Sequence, residues 1–319
     1  MFEPRTAHGN PPETAGFITV GHSCRSSHSL RCGKLAERAE TTSVGRRSSR
    51  AAPILGERRR GLESCLRMSA TRIEIEGRVP NAEELWSTAS AFGHFTAMQV
   101  RDGRTRGLEL HLRRLETANR ELFDAGLDGD RIRELVRHAL GDRMDSSVRV
   151  YVFESAEPVV MVTVKSPAEL TTPQRLRSVE YQRPQAHLKH LATGQGYYSR
   201  LAHRHGFDEA LLTDADGRIS ETATANIAFL DDDGVVWPEG RFLHGITMQL
   251  LERALPEAGV PSRRAHVRLA DVASFDGALV TNARGVGLVP EIDSLGLGTD
   301  PARVAAIADL YASLPWDSL

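Results

Sequence analysis

Cysteine is missing from residues 68–319; all three, Cys24, Cys32 and Cys65, lie in the first 67 positions. The body of the chain therefore offers no disulfide, no thiolate metal site and no cysteine nucleophile, and a reducing, cytoplasmic setting is expected. Cys24 and Cys32 stand near His22 and His28, but there is no CxxC pair and the surroundings are rich in serine and arginine, so no metal is expected there. No apolar run reaches the length of about 18 residues that suggests a membrane span. There is no excess of either charge: the formal net charge is −2, which gives no overall nucleic-acid signature. The near-balance hides an asymmetry. Residues 1–67 carry 12 Lys/Arg against 6 Asp/Glu, leaving 28 against 36 for a mildly acidic body. No internal repeat is visible.

The first 67 residues also lack any sustained apolar period. Runs such as CRSSHSLRC, SVGRRSSRAA and GERRRG cannot bury enough apolar surface to offset the entropy of ordering, so a disordered basic extension is expected over 1–67. Glu3, Glu13, Glu37 and Glu40 argue against a transit peptide, and the apolar core of a secretory signal is absent. Patterned sequence begins near Met68, a second candidate start of translation.

From there two α+β domains are expected. RIEI, FGHFTAMQVRDG, SSVRVYVF and VVMVTV alternate as strands, and HLRRLETANRELF and RIRELVRHAL repeat as amphipathic helices. They make up a small domain over 68–165. KSPAELTTPQ, with two prolines, reads as a linker over 166–175, and residues 176–319 form a larger domain of alternating strands and helices. A cleft between two such units is where ligands usually sit.

One stretch of the larger domain carries chemistry-bearing residues. Lys189 stands between Leu188 and Leu191, followed by a helical segment, a strand, an Asp216-Gly217 turn and a return strand ending at Glu221. Apolar flanks disfavour the charged amine and lower its pKa, which points to a catalytic amine with a distant carboxylate partner.

Four separated segments resemble the class IV aminotransferases, the fold-type IV pyridoxal-phosphate enzymes. They are FGHFTAMQVRDG followed by HLRRL; LKHL; GFDEALLTDADGRISETATANIAF; and LHGIT followed by LVTNARGVGLVP. That group includes branched-chain and D-amino acid aminotransferases, (R)-amine transaminases and aminodeoxychorismate lyase. The resemblance implies a two-domain α+β fold with pyridoxal 5'-phosphate between the domains, carried on Lys189 as a Schiff base, and a homodimer. It implies that Glu221 pairs with the pyridine nitrogen, that Arg114 contacts the phosphate, and that Gly245-Ile246-Thr247 and Asn282-Ala283 form the phosphate cup. Thr96, Gln99 and Arg149 fall where substrate contacts are expected. The activity implied is amino transfer from a D-amino acid or (R)-amine to a 2-oxo acid. Aminodeoxychorismate lyase, to which LKHL and Phe95-Thr96 are similar, and the branched-chain branch remain the alternatives.

The sequence departs from the family pattern in two informative places. Gly194 stands where many aminotransferases have a tyrosine that bonds the cofactor's ring oxygen, leaving Tyr197 or Tyr198 as substitutes. Met248 follows Gly-Ile-Thr where an arginine is usual.

Overall fold

The computed structural model describes residues 71–319 apart from 171, 172 and 299; the basic stretch 1–67 and its cysteines lie outside the described residues. Mixed helices and sheets make up the chain, as the α+β expectation required.

The first sheet is built around β2 (Gly93–Arg101), which turns at Asp102-Gly103 into β3 (Arg104–Thr105). Both turn residues have positive φ, 50° and 68°, the backbone that a two-residue hairpin between right-twisted strands requires. With β1 (Arg72–Ile75), β4 (Ser146–Phe153) and β5 (Val159–Lys165) the strand order is β1-β5-β4-β2-β3. Side chains alternate between the faces. Met98, Val100, Val148, Val150 and Val152 pack with Leu115 of α2 (Leu108–Phe123) and with Ile132 and Val136 of α3 (Gly129–Leu140). Phe95, Ala97, Arg149 and Tyr151 occupy the opposite face, with Phe95 paired to Tyr151 and Ala97 to Arg149 across β2 and β4. A helix that the sequence pattern did not reveal, α1 (Ala82–Ser90), is closed by a capping box between Asn81 and Glu84 and buries none of its residues.

The remaining strands form two further sheets. One contains β6 (Arg175–Glu180), β7 (Glu209–Thr213) and β8 (Ile219–Thr222), extended at the β6 edge by β14 (Glu291–Ile292) and β15 (Leu295–Gly296). The other is ordered β11-β10-β9-β12-β13, from β9 (Asn226–Asp231), β10 (Gly234–Pro238), β11 (Ser262–Ala265), β12 (Gly277–Asn282) and β13 (Gly285–Val289). Leu176, Leu211 and Ile219 of the one meet Ile227, Phe229 and Val280 of the other in a shared core. The outer face of the second sheet packs on Met248 and Leu251 of α5 (Ile246–Glu257) and on Val304 and Ile307 of α6 (Pro301–Ser313). Ala202 of α4 (Gln195–Arg204) covers Ala210 and Leu212. Because both faces are covered, β9 and β10 read as continuous apolar runs rather than alternating ones.

Residues 317–318 return to the first sheet as β16, antiparallel to β3. Gly107, which opens α2, has no side chain to cap it, and Asp317 Oδ2 fills that role by accepting from Leu108 N at 2.8 Å. The Arg106 guanidinium lies 3.8 Å from the centroid of the Trp316 ring. No helix among the described residues is long and apolar enough to cross a membrane.

Candidate active site

Lys189 is held by backbone pairing to the first sheet. Its carbonyl accepts from Phe95 N at 2.9 Å, and Leu191 N donates to Gly93 O at 2.9 Å, around a bridge between His94 and His190. This pairing brings the Lys189 amine over the Phe95 ring, 4.8 Å from its centroid. Burial and the charges of Arg114 and Arg183 push the amine down to about 7, against the opposing pull of Glu221. A lysine so placed is half neutral near pH 7 and can act as nucleophile and base.

Glu221 is the next-to-last residue of the buried strand β8, where Oε2 accepts from Leu243 N at 3.1 Å. Its main partner is a residue the sequence did not single out. Arg183, 3% exposed, donates from Nε to Glu221 Oε1 at 3.0 Å. The same guanidinium donates from Nη1 to Leu188 O at 2.6 Å and from Nη2 to Ala186 O. One side chain therefore ties the carboxylate to the loop that carries the lysine. Burial pushes the Glu221 carboxyl upward, and the Arg183 charge works against that rise. The only sequence signal for Arg183 is an arginine six positions before Lys189 in a polar, proline-flanked stretch, which is how a solvated arginine also looks.

The opposite end of the site is a helix start. Gly245 is the N-cap of α5 and has no side-chain cap of its own. Its N–H donates to Asn226 Oδ1 at 3.1 Å, while Asn226 Nδ2 donates to Leu243 O at 2.7 Å. A Cβ at residue 245 would fall 2.0 Å from Asn226 Oδ1, so only glycine fits. Thr247 Oγ1 donates to Asn282 O at 2.8 Å, joining the helix start to the strand end that carries Asn282 and Ala283. Asn282 Oδ1 accepts from Arg284 N at 2.8 Å, which shapes the turn after β12. Arg114 reaches this end from α2: Nη2 donates to His244 O at 2.9 Å, and burial together with Arg183 holds its guanidinium down to about 10. The first N–H groups of a helix have no intrahelical acceptor, so the start of α5 with Arg114 beside it suits an anionic group.

The residues expected to touch substrate divide by strand parity. Arg149 lies on the Phe95 face, donates to Tyr151 Oη at 3.3 Å, and is near enough to Lys189 to lower its pKa. Gln99 shares that face, but its amide is bonded to Ser147 Oγ at 3.0 Å and Ala168 N at 2.9 Å. Thr96 lies on the other face, fully buried, and shares a 2.7 Å hydrogen bond with His111 Nδ1 under α2. It is not brought together with Lys189, because a strand sends neighbouring side chains to opposite sides.

Another tyrosine stands beside the position of the missing one. Gly194 N donates to the hydroxyl of Tyr181 at 2.8 Å, and a Cβ at 194 would lie 3.2 Å from that oxygen. Tyr198 packs on Tyr181 with centroids 4.7 Å apart, and Tyr197 is 60% exposed.

Comparison with known proteins shows the family. The model of the family "Amino-transferase class IV" matches residues 93–292. A probable branched-chain-amino-acid aminotransferase of Rickettsia felis is 37% identical over 95 residues, 29% of this chain, and one of Rickettsia conorii is 36% identical over the same length. The match spans about a third of those relatives, 32% of each. Among solved structures, the branched-chain aminotransferase of the thermophilic archaeon Thermoproteus uzoniensis, with norvaline, superposes with a TM-score of 0.65 at 21% identity, covering 76% of this chain and 93% of that one. A hypothetical aminotransferase from Mycobacterium tuberculosis in its PLP-bound form gives 0.66 at 20% identity, over 76% and 98%. A protein assigned as a 4-amino-4-deoxychorismate lyase from Legionella pneumophila gives 0.63 at 17% identity, over 70% and 92%. At these identities the structural likeness shows the shared fold. The family match covers well over half of the chain and contains Lys189, Glu221, Arg114, the start of α5 and Asn282-Ala283, so this chain belongs to the class IV aminotransferase family, whose members depend on pyridoxal 5'-phosphate.

Proposed function

We propose that the chain is an aminotransferase that moves an amino group from a D-amino acid or (R)-amine to a 2-oxo acid, using pyridoxal 5'-phosphate. The observation that carries this reading is the Lys189 amine, held near neutrality within electrostatic reach of Arg114, Arg183 and Glu221. When bound, the cofactor supplies an electron sink for the bond broken at the substrate Cα.

The residues then have separate tasks. Lys189 would hold the cofactor aldehyde, and its amine, once freed, would move a proton between the substrate Cα and the cofactor's C4′ carbon. Glu221 would pair with the ring nitrogen and favour its protonated form. Both of its oxygens already accept one bond each, and a carboxylate oxygen accepts a second. Arg114, the first turn of α5 and the amide of Ala283 form the phosphate end. Arg149 takes the substrate carboxylate with its forked donors. The first sheet with its helices and the two packed sheets would be the two domains, and the cofactor would bind between them.

The D-amino acid or (R)-amine donor is favoured because Gly194 and Met248 depart from the common pattern. Two other donors follow from the comparisons: branched-chain amino acids, from the Rickettsia relatives, and aminodeoxychorismate, from the Legionella neighbour. The position of Thr96, bonded to His111 on the far face of β2, speaks against its aiding proton transfer in an elimination. A homodimer is part of this proposal. Val79, just before α1, and Trp86, within it, 79% and 76% exposed, are what a second copy would cover, and light scattering on the purified protein measures the mass.

The purified protein loaded with pyridoxal phosphate should show the visible absorbance of lysine-bound cofactor, and Lys189→Ala should lose it. A wild-type band in that variant would sink the cofactor reading. Turnover with D-alanine and 2-oxoglutarate separates the transaminase from the lyase, which would release pyruvate from aminodeoxychorismate without any oxo-acid acceptor.

A further inference from the structure

Three aromatic rings stand in a row on the Lys189 side of the first sheet. Phe95 and Tyr151 are cross-strand partners and stack with centroids 5.3 Å apart and planes 23° apart. Tyr151 and Phe153, two residues apart on β4, continue the row at 6.2 Å and 9°. Strand geometry puts alternate residues and their cross-strand partners on one face, so the row is a direct product of the sequence HFTAMQV against VRVYVF. Gly93 faces Phe153, and a Cβ there would come within 2.9 Å of its ring. Phe153 is buried, while Phe95 and Tyr151 each keep part of their surface open.

The cofactor-holding residues make no use of this row, yet it lies beside them. The Lys189 amine is 4.8 Å from the Phe95 centroid, and the Arg149 guanidinium is 5.9 Å from it on the same face. A substrate nitrogen in the place of the Lys189 amine would have its substituents beside Phe95, whose ring stacks on Tyr151. Aliphatic side chains would satisfy a merely apolar wall equally well. Near-parallel rings offer more, because offset and edge contacts with another ring gain free energy beyond the area they bury.

We infer that Phe95 and Tyr151, backed by the buried Phe153, form the side-chain subsite of this active centre and select amino donors or oxo acids bearing a planar ring over branched aliphatic ones. This rests on Lys189 being the reactive amine, as proposed above.

The test uses two carboxylates that have no amino or oxo group, so binding is read without turnover. The cofactor-loaded protein is titrated by calorimetry with 3-phenylpropanoate and with 4-methylpentanoate. The phenyl compound should bind about tenfold more tightly, which corresponds to about 1.4 kcal/mol. Tyr151→Leu should remove that preference by weakening the phenyl compound alone, and Tyr151→Phe should retain it. Equal affinities, tighter binding of the branched compound, or equal weakening of both by Tyr151→Leu would overturn the inference. The absorbance band tests the underlying reading separately. A normal band with no ring preference sinks only the subsite, and a missing band that survives full loading conditions sinks both.

Discussion

Arg183 and Glu221 form a buried ion pair, Nε to Oε1 at 3.0 Å, in which the arginine also bonds the carbonyls of Ala186 and Leu188 on the Lys189 loop. The pair couples Glu221 to the loop of Lys189, a residue 32 positions earlier in the sequence. Removing one partner of a buried pair leaves an uncompensated charge, a loss of about 3–5 kcal/mol, whereas replacing both by apolar groups is often close to neutral. Arg183→Met should therefore lower the urea midpoint strongly, and Arg183→Met with Glu221→Leu should recover most of it. Activity should stay lost in the double variant. Equal stability of the single variant and wild type would show that the pair does not hold the loop.

The lowered Lys189 pKa makes a signed prediction about pH. The amine goes from an ordinary value of 10.5 to about 7 in the folded chain. The unfolded chain thus binds more protons between those values, and stability rises with pH across that window. In the cofactor-free protein, Lys189→Met should be more stable than wild type at pH 6, and the gap should close as pH rises from about 7 toward 10.5. Selective acylation of the wild-type amine should reach half its maximal rate near pH 7. A half-point near 10 in peptide mapping would remove the basis for calling the amine poised.

Gly245 admits no side chain because Asn226 Oδ1 stands 2.0 Å from the position of a Cβ. Gly245→Ala must push Asn226 aside and shift the start of α5. Cofactor affinity, followed by fluorescence titration, is expected to fall by about tenfold or more, equivalent to about 1.4 kcal/mol. An unchanged dissociation constant would mean that the helix start does not hold the phosphate.

Thr96 and His111 make a matched buried pair at 2.7 Å. Burial, with the charge of Arg114, holds His111 down to about 3, so the imidazole is neutral. Thr96→Val leaves that nitrogen without its partner, which costs about 1–3 kcal/mol. Thermal unfolding should shift accordingly while the turnover number stays within about threefold, about 0.7 kcal/mol in the barrier. A loss of turnover without loss of stability would return Thr96 to the reaction.

Much of this protein was legible in its sequence for local reasons. Alternation in HFTAMQV and VRVYVF, the Asp102-Gly103 turn and the 3.6-residue period of α2 are short-range patterns, and burial of one face enforces each of them. Lys189, Glu221, Arg114, Gly245-Ile246-Thr247 and Asn282-Ala283 are proposed for the site because the segments that carry them resemble those of the class IV aminotransferases.

Other features belong to the tertiary structure because they depend on what lies across space. Parity placed Arg149 beside Phe95 and Thr96 against His111, but only the packing of α2 and α3 decided which face of β2 was the core. Arg183 looks like a solvated arginine until the fold buries it against Glu221. The glycine at 194 reads as a defect until Tyr181 is seen to occupy the space beside it. Helix α1 was missed because it buries nothing, so no apolar period marks it, and its capping box alone fixes its start. Sequence determined which groups this chain has and which face of each element they share. The fold decided which of them meet, because burial, and with it the shifted lysine and the paired carboxylate, exists only once distant segments exclude water from one another.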